Sequence, residues 1–216
     1  ANGNIPGLVY RSQDYASDYT GAYTWKASAS YVTGAMSMKF GYLGTHFTDD
    51  RIWYTNSQNL TFRVNNGVPN LLTQSVSPWV NNARARWHAL YAQEQWSVGR
   101  LTLQGALRFD IASSWFPEQQ LGPSRFLPTP IKFEETKGVD SYKDISPRVG
   151  AAYDVFGNGK TALKFNVGRY LEGVGTSSNY ANSNPTNRLP ITGGGAFATG
   201  NVTRTWTDAN RNFTPD

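Results

Sequence analysis

Leu101-Thr102-Leu103-Gln104-Gly105-Ala106-Leu107-Arg108-Phe109-Asp110-Ile111-Ala112-Ser113-Ser114-Trp115 alternates apolar and polar side chains over fifteen residues. Leu101, Leu103, Gly105, Leu107, Phe109, Ile111 and Trp115 fall on one side, with Thr102, Gln104, Arg108, Asp110 and Ser114 on the other. A period of two is the signature of a β-strand with two unlike faces. At about 3.3 Å per residue the stretch reaches roughly 50 Å, whereas an ordinary strand has about 5–6 residues. That length predicts an element that crosses a bilayer and protrudes beyond it.

The same alternation recurs on both sides of this segment, and strands are expected near 22–32, 35–47, 83–97, 101–115, 145–155 and 161–171. In the first pair Tyr23, Trp25, Ala27, Ala29 and Tyr31 share a face. After Thr33-Gly34 the apolar set continues as Met36, Met38, Phe40 and Tyr42, opposite Ser37, Lys39 and Gly41. Residues 83–97 read as Ala85, Trp87, Ala89 and Tyr91 outward, against Arg84, Arg86, His88 and Glu94; Gln93 and Gln95 then interrupt the apolar face. In the last pair Pro147, Val149, Ala151, Tyr153 and Val155 oppose Arg148 and Asp154, and Leu163, Phe165 and Val167 oppose Lys164 and Asn166. Gly157-Asn158-Gly159 between them suits a tight hairpin turn, because Asn-Gly accepts positive φ.

The connections alternate in length. Three are short, while 48–82, 116–144 and 172–216 together hold about half of the chain. Compact domains seldom carry several loops beyond about 12–15 residues, whereas outer-membrane barrels pair short periplasmic turns with long external loops. Within 48–82, Leu60–Val64 and Leu71–Val76 read as a small extra hairpin. The aromatic residues Trp53, Tyr54, Trp79, Phe116, Phe126, Tyr180 and Trp206 make these loops candidates for an outer vestibule that captures substrate.

Composition agrees with this picture. Charged residues are 16% of the chain and aromatics 14%, yet mean hydropathy is −0.50. The polarity therefore comes from neutral Asn, Gln, Ser, Thr and Gly, a mixture suited to meeting lipid on one face and water on the other. The net charge of +5 is spread without a basic block, which gives no reason to expect a nucleic-acid partner. Zero cysteines exclude disulfide scaffolds, zinc fingers and thiol catalysis. No run approaches the roughly 18 apolar residues of a membrane helix.

Ten charges lie well inside the expected strands: Lys26, Lys39, Arg84, Arg86, Glu94, Arg108, Asp110, Arg148, Asp154 and Lys164. All are read onto the face opposite the apolar set, as a lipid-facing midplane cation costs about 2–4 kcal/mol. The fold expected is all-β: an antiparallel up-and-down transmembrane β-barrel of which this chain supplies about six strands. Known barrels start at about eight strands, so the chain is expected to be a slice of a larger barrel.

The stretch 83–171 resembles the barrel of TonB-dependent outer-membrane receptors, particularly their Oar-like branch. The resemblance is carried by Tyr91-Ala92-Gln93-Glu94-Gln95-Trp96, Leu101-Thr102-Leu103 with Gly105, and Leu107-Arg108-Phe109-Asp110. It continues through Ser146-Pro147-Arg148-Val149-Gly150-Ala151-Ala152-Tyr153-Asp154, Gly157-Asn158-Gly159-Lys160-Thr161 and Gly168-Arg169-Tyr170. It implies a 22-stranded barrel, an N-terminal plug and a TonB box energised by the inner-membrane TonB complex. The plug and box are not seen in these residues. The implied function is binding and import of a substrate across the bacterial outer membrane, with outer-membrane lipid as a partner and no enzymatic activity. The competing readings are a passive porin or adhesin barrel and a soluble carbohydrate-binding β-sandwich.

The candidate sites follow from this frame. Glu94, Arg108, Asp110, Arg148, Asp154 and Lys164 are expected to form a lumen-facing polar network, because buried charges require partners and both signs are present. Trp25, Trp87, Tyr91, Trp96 and Trp115 are expected as the aromatic girdle, since an apolar ring with a polar tip favours the membrane–water boundary. Asp208, Asn210, Asn212 and Asp216 match oxygen positions 1, 3, 5 and 9 of a calcium loop, with Phe213 where that loop has glycine. Calcium is the one ion these residues suggest, a polar turn is the competing reading, and no other cofactor is expected. Gly159-Lys160-Thr161 lacks the first glycine and the helix of a phosphate-binding loop and reads as a turn. His46 and His88 read as strand-lining polar residues, there being no Gly-x-Ser-x-Gly elbow.

Overall fold

The structure, a computed structural model, describes residues 15–140, 142–173, 183–191, 195–197, 200–210 and 212. Among these, everything regular is strand except one 3-10 turn at Pro185–Arg188. Strands β1 (Tyr15–Thr33) and β2 (Met36–Tyr54) form the first hairpin, followed by a small one of β3 (Leu60–Asn65) and β4 (Val68–Ser75). Next come the long pair β5 (Trp79–Val98) and β6 (Leu101–Phe116), then three short strands, β7 (Gln119–Leu121), β8 (Ile131–Phe133) and β9 (Thr136–Lys137). The hairpin of β10 (Tyr142–Asp154) and β11 (Ala162–Gly168) follows, and then β12 (Leu189–Ile191), β13 (Gly195–Phe197) and β14 (Asn201–Thr205).

The six long strands lie side by side in the order β1-β2-β5-β6-β10-β11, all antiparallel, with β9 adding two residues beside β6. This is an up-and-down sheet. It does not close on itself among the described residues, where β1 and β11 each keep one unpaired edge.

The first strands are longer than the sequence pattern indicates. β1 and β2 have 19 residues each and β5 has 20, roughly 60 Å of extended chain. Residues 48–54 and 79–82, read from sequence as loop, keep pairing as Asp49↔Ala83, Arg51↔Asn81 and Trp53↔Trp79. The alternation fades there because the wall above the lipid is packed by loop residues, with Asp49 and Trp79 both buried, so no lipid demands a continuous apolar face.

The short connections sit together at one end. Gly34 turns β1 into β2 with φ +53°, and Gly99 turns β5 into β6 with φ +58°. The third is wider than the expected tight Asn-Gly turn. Val155 N–H donates to Thr161 C=O at 3.0 Å, and it is Gly157 and Gly159, not Asn158, that take positive φ. Asp154 holds this loop, its carboxylate accepting from Gly157 N–H at 3.0 Å and Gly159 N–H at 2.8 Å.

The opposite end carries a folded superstructure. β14 joins β4 and β3 in a separate three-stranded sheet, and β7 pairs β8. Val76, Trp79 and Leu121 are its buried centre, packed by Trp53, Leu127, Ile131, Phe133 and Val202.

Candidate functional site

Residues directly opposite one another on antiparallel strands share a face, so the register sorts the wall into rows. One face carries Ala29·Phe40·Ala92·Leu107·Pro147 and, one row towards the loops, Ala27·Tyr42·Leu90·Phe109·Ile145. The other face carries Ser28·Gly41·Tyr91·Arg108·Ser146 and Lys26·Leu43·Ala89·Asp110·Asp144. Among the described residues the apolar face is not covered by other parts of the chain. On the apolar face Leu107 is 54% and Leu90 59% exposed, whereas Asp110 on the polar face is 4% exposed. Contiguous apolar surface of this size marks a membrane contact, and residues 101–111, tilted at about 35–45°, match the roughly 25 Å apolar band of such barrels.

The family model described as an outer membrane beta barrel domain matches residues 4–215. The chain belongs to this outer membrane beta barrel family. No curated protein and no solved structure matches it. Membership places the barrel chain in the bacterial outer membrane and removes the soluble β-sandwich reading. The apolar face is the lipid face and the polar face lines the interior.

The lumenal wall has one tight cluster. Arg108 Nε pairs with Asp110 Oδ1 at 2.9 Å, and the indole Nε1–H of Trp87 donates to the same oxygen at 2.8 Å. The Arg108 guanidinium lies 4.9 Å from the Trp87 ring centroid. Asp110 and Asp144 are cross-strand neighbours of like charge, and Asp144 takes its own counter-ion, Arg169, at 2.6 Å. Towards the short turns the wall opens into a polar groove lined by Lys39, Gln93, Gln95, Gln104, Arg148 and Asn166.

Strand β5 departs from the sequence reading. Its phase is the reverse of that expected: Trp87 and Tyr91 point into the lumen, and Arg84, Arg86 and Glu94 stand on the lipid side. Trp87 is inside because its N–H is needed by Asp110. Tyr91 is inside because its ring covers Gly41 on β2, filling the space where a Cβ would stand. Trp25, Trp96 and Trp115 lie on the lipid face, Trp96 beside the short turn and Trp115 at the loop end. The interruption at Gln93 and Gln95 was the legible sign of the true phase, since both are lumenal.

The expected six-membered polar network is accordingly not one network. Arg108 and Asp110 pair. Arg148 lies instead over the Tyr170 ring, 4.3 Å from its centroid. Asp154 organises the turn, Lys164 is lumen-facing on β11 and forms no ion pair among the described residues, and Glu94 is on the other face. In the C-terminal loop, Asp208 Oδ1 and Asn210 Oδ1 accept from Asn212 N–H at 2.9 and 3.0 Å, a polar turn; Asp216 lies outside the described residues. Among the described residues no group of three acidic, histidine or cysteine side chains is placed to hold a metal.

One feature has no sequence signature. Above its pairing with β6, β5 is completed by amide side chains rather than by a strand. Asn82 N–H donates to Gln119 Oε1 at 2.7 Å, Asn82 C=O accepts from Asn184 Nδ2 at 2.8 Å, and Gln119 Nε2 donates to Asn184 Oδ1 at 3.1 Å. Asn81 Nδ2 in turn donates to Thr186 Oγ1 and Asn187 Oδ1. These contacts bind two sequence-distant loops to the rim of the wall.

Proposed function

We propose that this barrel chain is part of a TonB-dependent outer-membrane receptor that binds a substrate and imports it. The observation supporting this most is the superstructure at the loop end. It has its own buried centre and an amide clamp onto β5, so it presents an ordered surface rather than slack connectors. The resemblance over 83–171 supports the same reading. So does the open sheet, whose closure calls for further strands and whose polar inner groove suits a lumen filled by a plug, as in 22-stranded transporters.

The energy source in this proposal is the inner-membrane TonB complex, acting through a plug and TonB box elsewhere in the full protein. In this reading the chain is a transporter wall and not an enzyme; His46 and His88 both lie on the lipid face, away from the lumenal carboxylates. Uptake by the full protein in its host should stop when TonB is deleted. Flux that continues unchanged would instead identify a passive porin. Shortening 117–135 should lower substrate capture while the barrel still assembles; unchanged capture would remove these loops from the binding surface.

A further inference from the structure

The lipid face changes character above the Phe109 row. The next row is Trp25·Gly44·His88·Ile111·Lys143, and the one beyond it is Tyr23·His46·Arg86·Ser113. Two cations thus stand on the outward surface just where the apolar band ends, on the side of the long loops. Both Arg86 and Lys143 are exposed, and neither forms an ion pair among the described residues. Arg84, one row higher on the same face, is by contrast neutralised by Asp50 at 2.6 Å.

We propose that Arg86 and Lys143 bind the phosphate-bearing headgroup of an outer-leaflet lipid. Arg86 is held ready for this. Its Nε donates to Ser113 Oγ at 2.9 Å, and its guanidinium lies 5.4 Å from the Trp115 ring centroid. The two terminal nitrogens are left for a charge-assisted, bidentate contact with phosphate oxygens, the geometry in which guanidinium is strongest. The His46 ring also stands against this indole, 5.6 Å from it and tilted by 51°. Lys143 stands two strands away and one row nearer the membrane. Its flexible stem can follow the apolar surface and raise the ammonium to headgroup level. The acyl chains of the same lipid would descend across the Leu90·Phe109·Ile145 row. A free anion would gain nothing from that row, so the occupant is lipid rather than dissolved phosphate.

The test uses the full-length protein, purified folded in a nonionic detergent and offered mixed micelles of phosphatidylglycerol and phosphatidylcholine. Bound lipid is counted by native mass spectrometry. The wild type should retain phosphatidylglycerol in preference to phosphatidylcholine. The R86Q/K143Q variant should lose that preference, by roughly fivefold for each cation removed, and R86Q alone should show about half the loss on a logarithmic scale. K164Q, which removes a lumenal cation, should leave it intact. Heat-modifiable mobility on gels establishes that each variant is folded. No preference in the wild type, an undiminished preference in R86Q/K143Q, or an equal loss in K164Q would overturn the proposal. Elimination of the preference by millimolar inorganic phosphate would overturn the lipid assignment in favour of a free-anion site.

Discussion

Strands β5 and β6 are hydrogen-bonded along fifteen residue pairs, cross the same membrane and face the same lumen, yet they solve the problem with different residues. β6 puts Leu101, Leu103, Leu107 and Phe109 towards lipid and Arg108 and Asp110 inward. β5 puts alanines, Trp87 and Tyr91 inward, and its outward set runs from Trp96 through Ala92 and Leu90 to His88, Arg86 and Arg84. A face is therefore a property of a row across strands, not of the composition of one strand. Small residues inside β5 make room for the long side chains of β6: Ala89 stands opposite Asp110, and both are buried.

The strongest way to break this comparison is to place a charge on each face of each strand. Leu90→Arg and Phe109→Arg, direct neighbours in the middle of the apolar band, should each cost about 2–4 kcal/mol. Gln93→Arg and Gln104→Arg, exposed on the lumenal side, should stay within about 0.5 kcal/mol. Urea titration of the full barrel folded into vesicles measures both. A well-tolerated Leu90→Arg would restore the opposite phase for β5.

The contact that ties the two strands together inside the lumen comes next. Asp110→Ala leaves Arg108 without its counter-ion and Trp87 without its acceptor, a loss of about 2–3 kcal/mol in the same titration. Asp110→Asn keeps a carbonyl for the indole N–H and should recover part of it. If the two variants are equal, the Trp87 hydrogen bond contributes nothing and its inward orientation needs another cause.

Above the membrane the partnership of β5 and β6 ends and the amide clamp takes over. Gln119→Ala should cost about 1–2 kcal/mol locally, from the unpaired Asn82 N–H. Hydrogen exchange should report faster exchange at Asn82 while the amides of the membrane segment keep their protection. Equal loosening throughout would mean that the superstructure and the wall unfold as one unit.

Apart from the tolerated lumenal glutamine changes, the smallest effect is expected at the turn that joins the two strands. Gly99 has φ +58° with open space around its missing Cβ, so Gly99→Ala meets only backbone strain, about 1 kcal/mol. The register should survive, because it is held by the rows and not by the turn. A slip detected by cross-linking Trp96 and Leu103 positions as cysteines would reverse that ranking.

Much of the wall is legible in the sequence. The phases of β1, β2, β6, β10 and β11 follow from period-two patterning because lipid excludes charge from one face, and the β3–β4 hairpin shows in two short apolar runs. The phase of β5 was obscured because Trp, Tyr and Ala are ambiguous residues. An indole or phenol suits the lipid boundary, but it equally suits a lumen that offers an acceptor for its N–H or a glycine to cover, as Asp110 and Gly41 do here. Within residues 83–97 only Gln93 and Gln95 carry the sign of the true phase.

The sequence by itself determined that this is an antiparallel all-β wall with unlike faces, long crossing strands, short turns at one end and long loops at the other. These are consequences of local alternation and of where glycine, proline and asparagine interrupt it. Tertiary structure alone decided which strand faces align into rows, that Asp154 serves a turn while Asp110 serves an ion pair, and that Gln119 and Asn184 stand in for a missing strand beside Asn82. It also decided that two cations meet the edge of the apolar band. Each depends on which residue lies opposite another across a strand gap of about 4.8 Å, and that adjacency joins positions tens of residues apart, where no local pattern reaches.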